Sequence, residues 1–478
     1  MARSNSRLDA GLAGYFRFAE RGTNLRTEIL AGVTTFFVMA YIIFVNPSIL
    51  SSGPLAEAGP PFNATLTATC LVSALMCIAM GLFTNYPFAL APGLGLNAVV
   101  AFQLILTMGL PWQTAMGVIV LEGVLITLLV LTGFRQAVMH AIPLSQKRAI
   151  SVGIGLFILF IGLNNAGIVQ RGAGTPMALG NFTTFSILLT VVGLFLTLIL
   201  MAGKVKAALL IGILATTVIG VVSHYAFGAD TSAQAGVQGA FPTELASPSF
   251  ETIGQGLNFD VFKLAGVLSA VLVIFSLMLS DFFDTMGTII GVGEQAGFVK
   301  ADGDLPNSNR VLMVDSVAAI AGGVFGTSSV TTYIESAAGV GEGGRTGLTA
   351  VVTGILFLLS ILIAPFAGVV PSEATAPALI IVGFLMCGGI REIDFGELEE
   401  GFPALLTMTI MPFSYSITNG IGAGFISYVV LKLALGRDCT IACVFGSQPK
   451  DEHFQNRLVR GYHATSKTQT RTNDRRPT

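Results

Sequence analysis

The feature that most constrains this chain is the scarcity of charge along stretches long enough to cross a bilayer. A helix needs about 20 apolar residues to span the hydrocarbon core. Runs of that order, bounded by charge, proline or glycine, lie at roughly 29–50, 63–84, 88–108, 112–133, 147–168, 183–203 and 205–228. They resume at roughly 262–291, 309–327, 329–343, 346–369, 374–390, 402–417 and 419–436. Of 478 residues, 53% are apolar and 11% charged, against roughly a quarter charged in a soluble domain. Too few polar side chains exist to cover a water-facing surface. The 56 glycines suit a bundle whose helices approach closely. The expectation is an all-α polytopic membrane protein with about fourteen transmembrane segments, embedded in lipid.

The charges that do occur define ends and connectors. Residues 1–28 are polar and carry Arg3, Arg7, Arg17, Arg21 and Arg26 without the apolar core of a cleavable signal peptide. They read as a cytoplasmic N-terminal segment of a cell-membrane protein. An even number of spans returns the C-terminus to the same side. The tail, 437–478, is weakly basic and reads as cytoplasmic and disordered. Between the ends, 29–228 forms one set of seven segments and 262–436 a second, joined by a polar connector at 229–261. Residues 298–309 read as a short hydrophilic loop, and Arg391 to Glu400 as a surface helix on the cytoplasmic face.

An odd number of spans per half turns the second half over, so a seven-plus-seven inverted repeat is expected. The third segment, Phe88-Ala-Leu-Ala-Pro-Gly-Leu-Gly-Leu-Asn97, and the tenth, Thr331-Thr-Tyr-Ile-Glu335-Ser-Ala-Ala-Gly-Val-Gly341, support it. Each starts extended, breaks, and passes through glycines into an apolar stretch. Matched interruptions of this kind point to a transporter's substrate site. Extended backbone in a bilayer leaves unpaired N–H and C=O groups that must find partners in protein or a wet cavity.

Ionisable side chains inside apolar segments cost at least about 2.5–3.5 kcal/mol on insertion scales and are functional candidates by default. Asp281, Asp284 and Thr288 share one helical face by their spacing. Two carboxyls there cannot both be cheaply ionised, so at least one is expected to hold a proton. Glu335 lies in the break of the tenth segment and Asn97 is its polar counterpart in the third. Glu122, between Leu121 and Gly123, reads equally well as a scaffold residue.

Other chemistry finds no support. The histidines, His140, His224, His453 and His463, sit at segment ends or in the tail, so no metal site or nucleophile's base is expected. There is no phosphate-binding GxxxxGK[ST] loop, no cofactor signature and no basic nucleic-acid footprint. Cys70 and Cys77 read as small core residues.

On these residues the chain resembles the nucleobase/ascorbate transporter superfamily, and within it the AzgA-like adenine, guanine and hypoxanthine permeases. The stretches are Ala31-Gly-Val-Thr-Thr-Phe-Phe-Val-Met-Ala-Tyr41 with Asn46-Pro47, Ala91-Pro-Gly-Leu-Gly-Leu-Asn-Ala98, Gly153-Ile-Gly-Leu-Phe157, Asp281-Phe-Phe-Asp-Thr-Met-Gly-Thr288 and Tyr333-Ile-Glu-Ser-Ala-Ala-Gly339. The resemblance runs from about residue 10 to 436 and implies short strands in segments 3 and 10, between a core and a gate domain. It implies purine contacts at Asn97, Asp281 and Glu335, with Asp284 in a supporting role; Thr288, on the same helical face, is expected to support proton coupling with Asp284. It further implies proton symport of a purine nucleobase by alternating access, and a homodimer. The polar sequence after Gly436 departs from relatives that continue with an apolar stretch. The alternatives are a uracil or xanthine carrier, an anion carrier of the sulfate-permease type, a membrane enzyme and a channel. Phe282 and Phe36 are candidates to stack on a base.

Overall fold

The computed structural model describes residues 11–132, 142–172, 174–227, 248–299, 305–363 and 370–435. The tail and residues 229–247 of the connector lie outside these residues.

Every one of the fourteen apolar stretches corresponds to helix, or to a strand followed by helix. The first is broken in two, α1 (Leu25–Met39) and α2 (Ile42–Ser51), with a turn at Ala40 and Tyr41. Asn24 caps α1 by accepting from Thr27 N at 3.0 Å, and the helix starts inside the stretch read as an N-terminal segment. α3 (Phe62–Thr84) follows, then strand β1 (Leu90–Pro92), α4 (Leu94–Ala98), a π-helical continuation over Val99–Thr107, and α5 (Trp112–Thr132). Next come α6 (Leu144–Asn165), a small hairpin of β2 (Val169–Gln170) and β3 (Ala178–Leu179), α7 (Phe185–Ala202) and α8 (Ala208–Phe227).

The second half opens with α9 (Val267–Gln295), 29 residues long, and α10 (Ser308–Phe325). β4 (Val330–Thr332), α11 (Ser336–Gly341), α12 (Gly347–Ser360), α13 (Ser372–Met386), α14 (Leu398–Ser414) and α15 (Ile417–Ala434) complete it. Eight helices among the described residues are long and apolar enough to cross a membrane. The outer faces agree: α7 leaves Leu188, Phe195 and Ile199 more than half exposed, an arrangement water disfavours and lipid accepts.

β1 and β4 are the third element of each half, and they pair antiparallel with Leu90 opposite Thr332, Ala91 opposite Thr331 and Pro92 opposite Val330. Both choices of backbone have local causes. Pro87 and Pro92 bracket the first strand, removing two N–H groups and disfavouring helix in the residues before them. The second strand is a β-branched run, Val330-Thr-Thr332, entered through Ser328 with φ of 75°. Beyond the ladder, Gly93 N donates to Ser329 O and Tyr333 N to Ala89 O, each at 2.9 Å. The broken backbones of the two halves therefore satisfy each other, as the hydrocarbon setting demands.

Helix packing divides into two groups. α1 to α5 and α9 to α12 pack chiefly among themselves, while α6 to α8 and α13 to α15 form a second set. Close crossings are glycine-dependent: a Cβ on Gly123 of α5 would lie 2.8 Å from Ile320 N of α10. Cys70 and Cys77 are buried in the first group, and Cys77 also bonds the Leu90 backbone through its sulfur.

One expectation is corrected. Arg391 to Glu400 is not a surface helix: a 3₁₀ turn over Cys387–Glu392 ends at buried Ile393, and α14 begins at Leu398. Glu399 and Glu400 fall in the first turn of that helix, where the dipole favours anions. They are held there by Lys432 and Ser145 respectively.

Candidate substrate site

The β1–β4 junction sits against α9 and α10, and buried polar side chains fix it there. Asp315 of α10 accepts from Thr332 N at 2.9 Å through one oxygen and from the Thr285 hydroxyl at 2.7 Å through the other. Thr285 of α9 also meets Thr331 of the strand at 2.6 Å. Ser336, at the start of α11, accepts from Ala89 N at 2.9 Å, and the Tyr333 hydroxyl donates to Pro92 O. A second polar knot holds the approach to β4, where Asn46 Nδ2 donates to Thr69 and Thr327, each at 2.7 Å. The strands and their approach are thus clamped by side chains from five helices.

Asp281 lies on α9 with no exposed surface, and its Oδ2 accepts from Ser329 at 3.1 Å. Asp284, one turn on, is partly exposed and lies within electrostatic range of the carboxyls of both Asp281 and Glu335. Glu335 immediately precedes α11, is partly exposed, and accepts from the Tyr41 hydroxyl at 2.7 Å. Three acidic groups of the second half, two on α9 and one at the turn after β4, therefore gather in one region. Thr288, a turn below Asp284, is buried. Asn97 is fully buried in α4, yet neither its Oδ1 nor its Nδ2 has a hydrogen-bond partner, so no direct bond ties it to the acidic group. A buried amide with all its hydrogen-bonding capacity open is expensive unless something else occupies it. The two aromatic candidates are engaged with other rings: Phe36 meets Phe357 edge-on at 5.2 Å and Phe282 meets Phe283 at 5.7 Å.

Several participants were not singled out in the sequence. Asp315 carries the same signal as Asp281, an acid in an apolar run, and the rule applied there would have found it. Tyr41 gives no such signal, because an aromatic in an apolar stretch looks like packing. It meets Glu335 from the turn at Ala40 and Tyr41 where the first segment breaks. Ser329 and Thr331 are hydroxyl residues of a kind common in bundles.

A bundle that spans a membrane, with two interrupted segments crossing beside a cluster of acids, has the construction of a secondary carrier. Against solved structures, the fold matches the transmembrane domain of the cyanobacterial bicarbonate transporter BicA at a TM-score of 0.59, covering 85% of this chain and 97% of that one at 16% identity. It matches SLC26A9 at 0.63, covering 92% of this chain and 70% of that one at 11% identity. The model of a permease family, that of the xanthine/uracil permeases, matches residues 26–422. Adenine permease AdeP of Escherichia coli is 44% identical over 425 residues, 88% of this chain and 90% of that one. Guanine/hypoxanthine permease PbuG of Bacillus subtilis is 42% identical over 427 residues, 88% of this chain and 94% of that one. The chain belongs to this permease family and, within it, to the branch that resembles AzgA.

Proposed function

We propose that this protein imports purine nucleobases (adenine, guanine or hypoxanthine) together with a proton, by alternating access of the two helix groups. The observation that carries the reading is the gathering of Asp281, Asp284 and Glu335 beside the paired strands, with the open amide of Asn97 on α4, just after β1. The names of the relatives, adenine and guanine/hypoxanthine permeases, support the choice of substrate.

A neutral purine presents N–H donors beside ring-nitrogen acceptors. Carboxylates at Asp281 and Glu335 take the donors, and Asn97 offers both a donor and an acceptor. In a dry site a mismatched base leaves one of these groups unpaired, which is the basis of selectivity. Asp284 and Thr288 support the coupling of proton to base. The N- and C-termini face the cytoplasm, following the basic N-terminal segment, and the working unit is a homodimer.

An anion carrier is the runner-up, because BicA and SLC26A9 share the fold. An anion site needs a basic or neutral residue where the second broken segment turns, and Glu335 is acidic there. Uptake of radiolabelled adenine, guanine, hypoxanthine and uracil in a host lacking its own carriers, with and without a protonophore, separates these readings. The proposal expects saturable purine uptake that the protonophore collapses. Asp281→Asn should reduce it to background at normal membrane abundance. Uptake of uracil alone, or normal uptake by the variant, would refute it.

A further inference from the structure

The acids of the first helix group are not all used alike. Glu28, fully buried on α1, accepts from Arg345 N at 2.8 Å, Thr346 N at 3.3 Å and the Thr349 hydroxyl at 2.6 Å. It caps the start of α12, and both of its oxygens receive donors. Glu122 of α5 is just as buried, but neither of its oxygens receives a hydrogen bond from an amide, hydroxyl or cation. Oδ1 of Asp281 is equally unserved. α5 and α9 pack against each other, and the Glu122 and Asp281 carboxyls that they bury interact directly. With both ionised they are two acceptors with nothing between them, whereas one proton joins them.

The elements packed most closely on α5 bring no compensating charge. α10 brings Asp315, already occupied by Thr285 and Thr332, and at its first turn Arg310, which is exposed. α9 brings Asp281 and, further along, Asp284 and Glu294, all acidic. The π-helical stretch Val99–Thr107 has no ionisable residue. The turn at Val261–Leu264 carries Lys263, which is exposed and paired with Asp260 at 2.7 Å. No group of three acids, histidines or cysteines among the described residues is arranged to hold a metal ion. A proton is what this arrangement accommodates.

We infer that Glu122 and Asp281 form a proton-sharing carboxyl pair, in which Glu122 holds the coupling proton while Asp281 accepts a hydrogen bond from the base. The inference rests on the proton-coupled reading above and names where its proton resides. The step is a plain transfer: one O–H bond forms on the pair as hydronium on the entry side gives up its proton. The same bond breaks when the proton passes to water on the other side. Glu122 is a positioning and storage residue on a helix whose close packing at Gly123 against Ile320 fixes its place.

Glu122→Gln keeps the size and removes the exchangeable proton, so it separates coupling from binding. The full-length protein is reconstituted in liposomes, and adenine is followed in two ways: exchange against internal adenine, and accumulation driven by an inward proton gradient. A gradient of about one pH unit supports up to about tenfold accumulation for one proton per neutral base. Wild type should approach that figure, whereas E122Q should exchange adenine normally and accumulate it no more than without the gradient. Infrared difference spectra between acidic and alkaline pH give a second readout: the band of a protonated buried carboxyl should be present in wild type and absent in E122Q. Gradient-driven accumulation by E122Q equal to wild type overturns the assignment. So does loss of adenine exchange in E122Q with the infrared band retained, which would make Glu122 structural. If wild type exchanges adenine but ignores the proton gradient, responding to sodium instead or to neither, the proton-coupled reading itself fails and takes this inference with it.

Discussion

Replacing Tyr41 with Phe tests whether the break in the first segment serves the substrate site. The ring of Tyr41 is 1% exposed, and Phe fills the same space, so packing is preserved. The change deletes one contact, the 2.7 Å hydrogen bond from the hydroxyl to Glu335. Hydrogen bonds to charged groups contribute about 1.5–3 kcal/mol net, and each 1.36 kcal/mol is about tenfold in an equilibrium constant. Glu335 is partly exposed, so the lower end applies and the apparent KM for adenine should rise about tenfold. The rise follows because an unanchored Glu335 samples orientations that do not meet the base. Transport rate per molecule at saturating adenine should change far less. The assay is initial-rate radiolabelled uptake over a range of adenine concentrations, normalised to membrane abundance, with Glu335→Gln alongside. An unchanged KM for Tyr41→Phe, with uptake abolished by Glu335→Gln, would refute the idea that this hydroxyl orients the acid.

Two further outcomes follow from the same geometry. Asn97→Ala should leave thermal stability in detergent unchanged, since its amide has no protein partner to lose, while weakening purine binding by up to about tenfold; unchanged binding would remove Asn97 from the site. Asp315→Ala orphans the buried N–H of Thr332, a loss of about 1–3 kcal/mol, and should lower the melting temperature of the purified protein by several degrees. An unchanged melting curve would mean that the strand does not depend on that brace.

The gross architecture was legible because membrane insertion imposes a coarse rule, apolar length, that survives in the raw sequence. The interrupted third and tenth segments were legible for the same reason that they exist: Pro87 and Pro92 on one side, and glycines with an acid on the other, are poor material for a continuous helix. The break after Met39 was invisible, because neither Ala40 nor Tyr41 carries a helix-breaking signature. Pro47 shows the converse, lying inside α2 without ending it. The charged run at 391–400 misled because amphipathic composition does not distinguish a surface helix from the polar turn that starts a spanning one. Asp281 and Glu335 stood out singly, but their company did not. Partners such as Ser329, Thr285 and Tyr41 are ordinary residue types whose meaning comes only from where the chain brings them.

The pairing of Leu90 to Pro92 with Val330 to Thr332 has a consequence for biogenesis. About 240 residues separate the two strands, and at about 5–20 residues per second the ribosome needs roughly 10–50 seconds to supply the second after the first. Through that interval the earlier strand lies in or beside the membrane with its own ladder partner still unmade. The nascent chain must shelter that segment in the insertion machinery, or hold it at the aqueous surface, until its counterpart arrives.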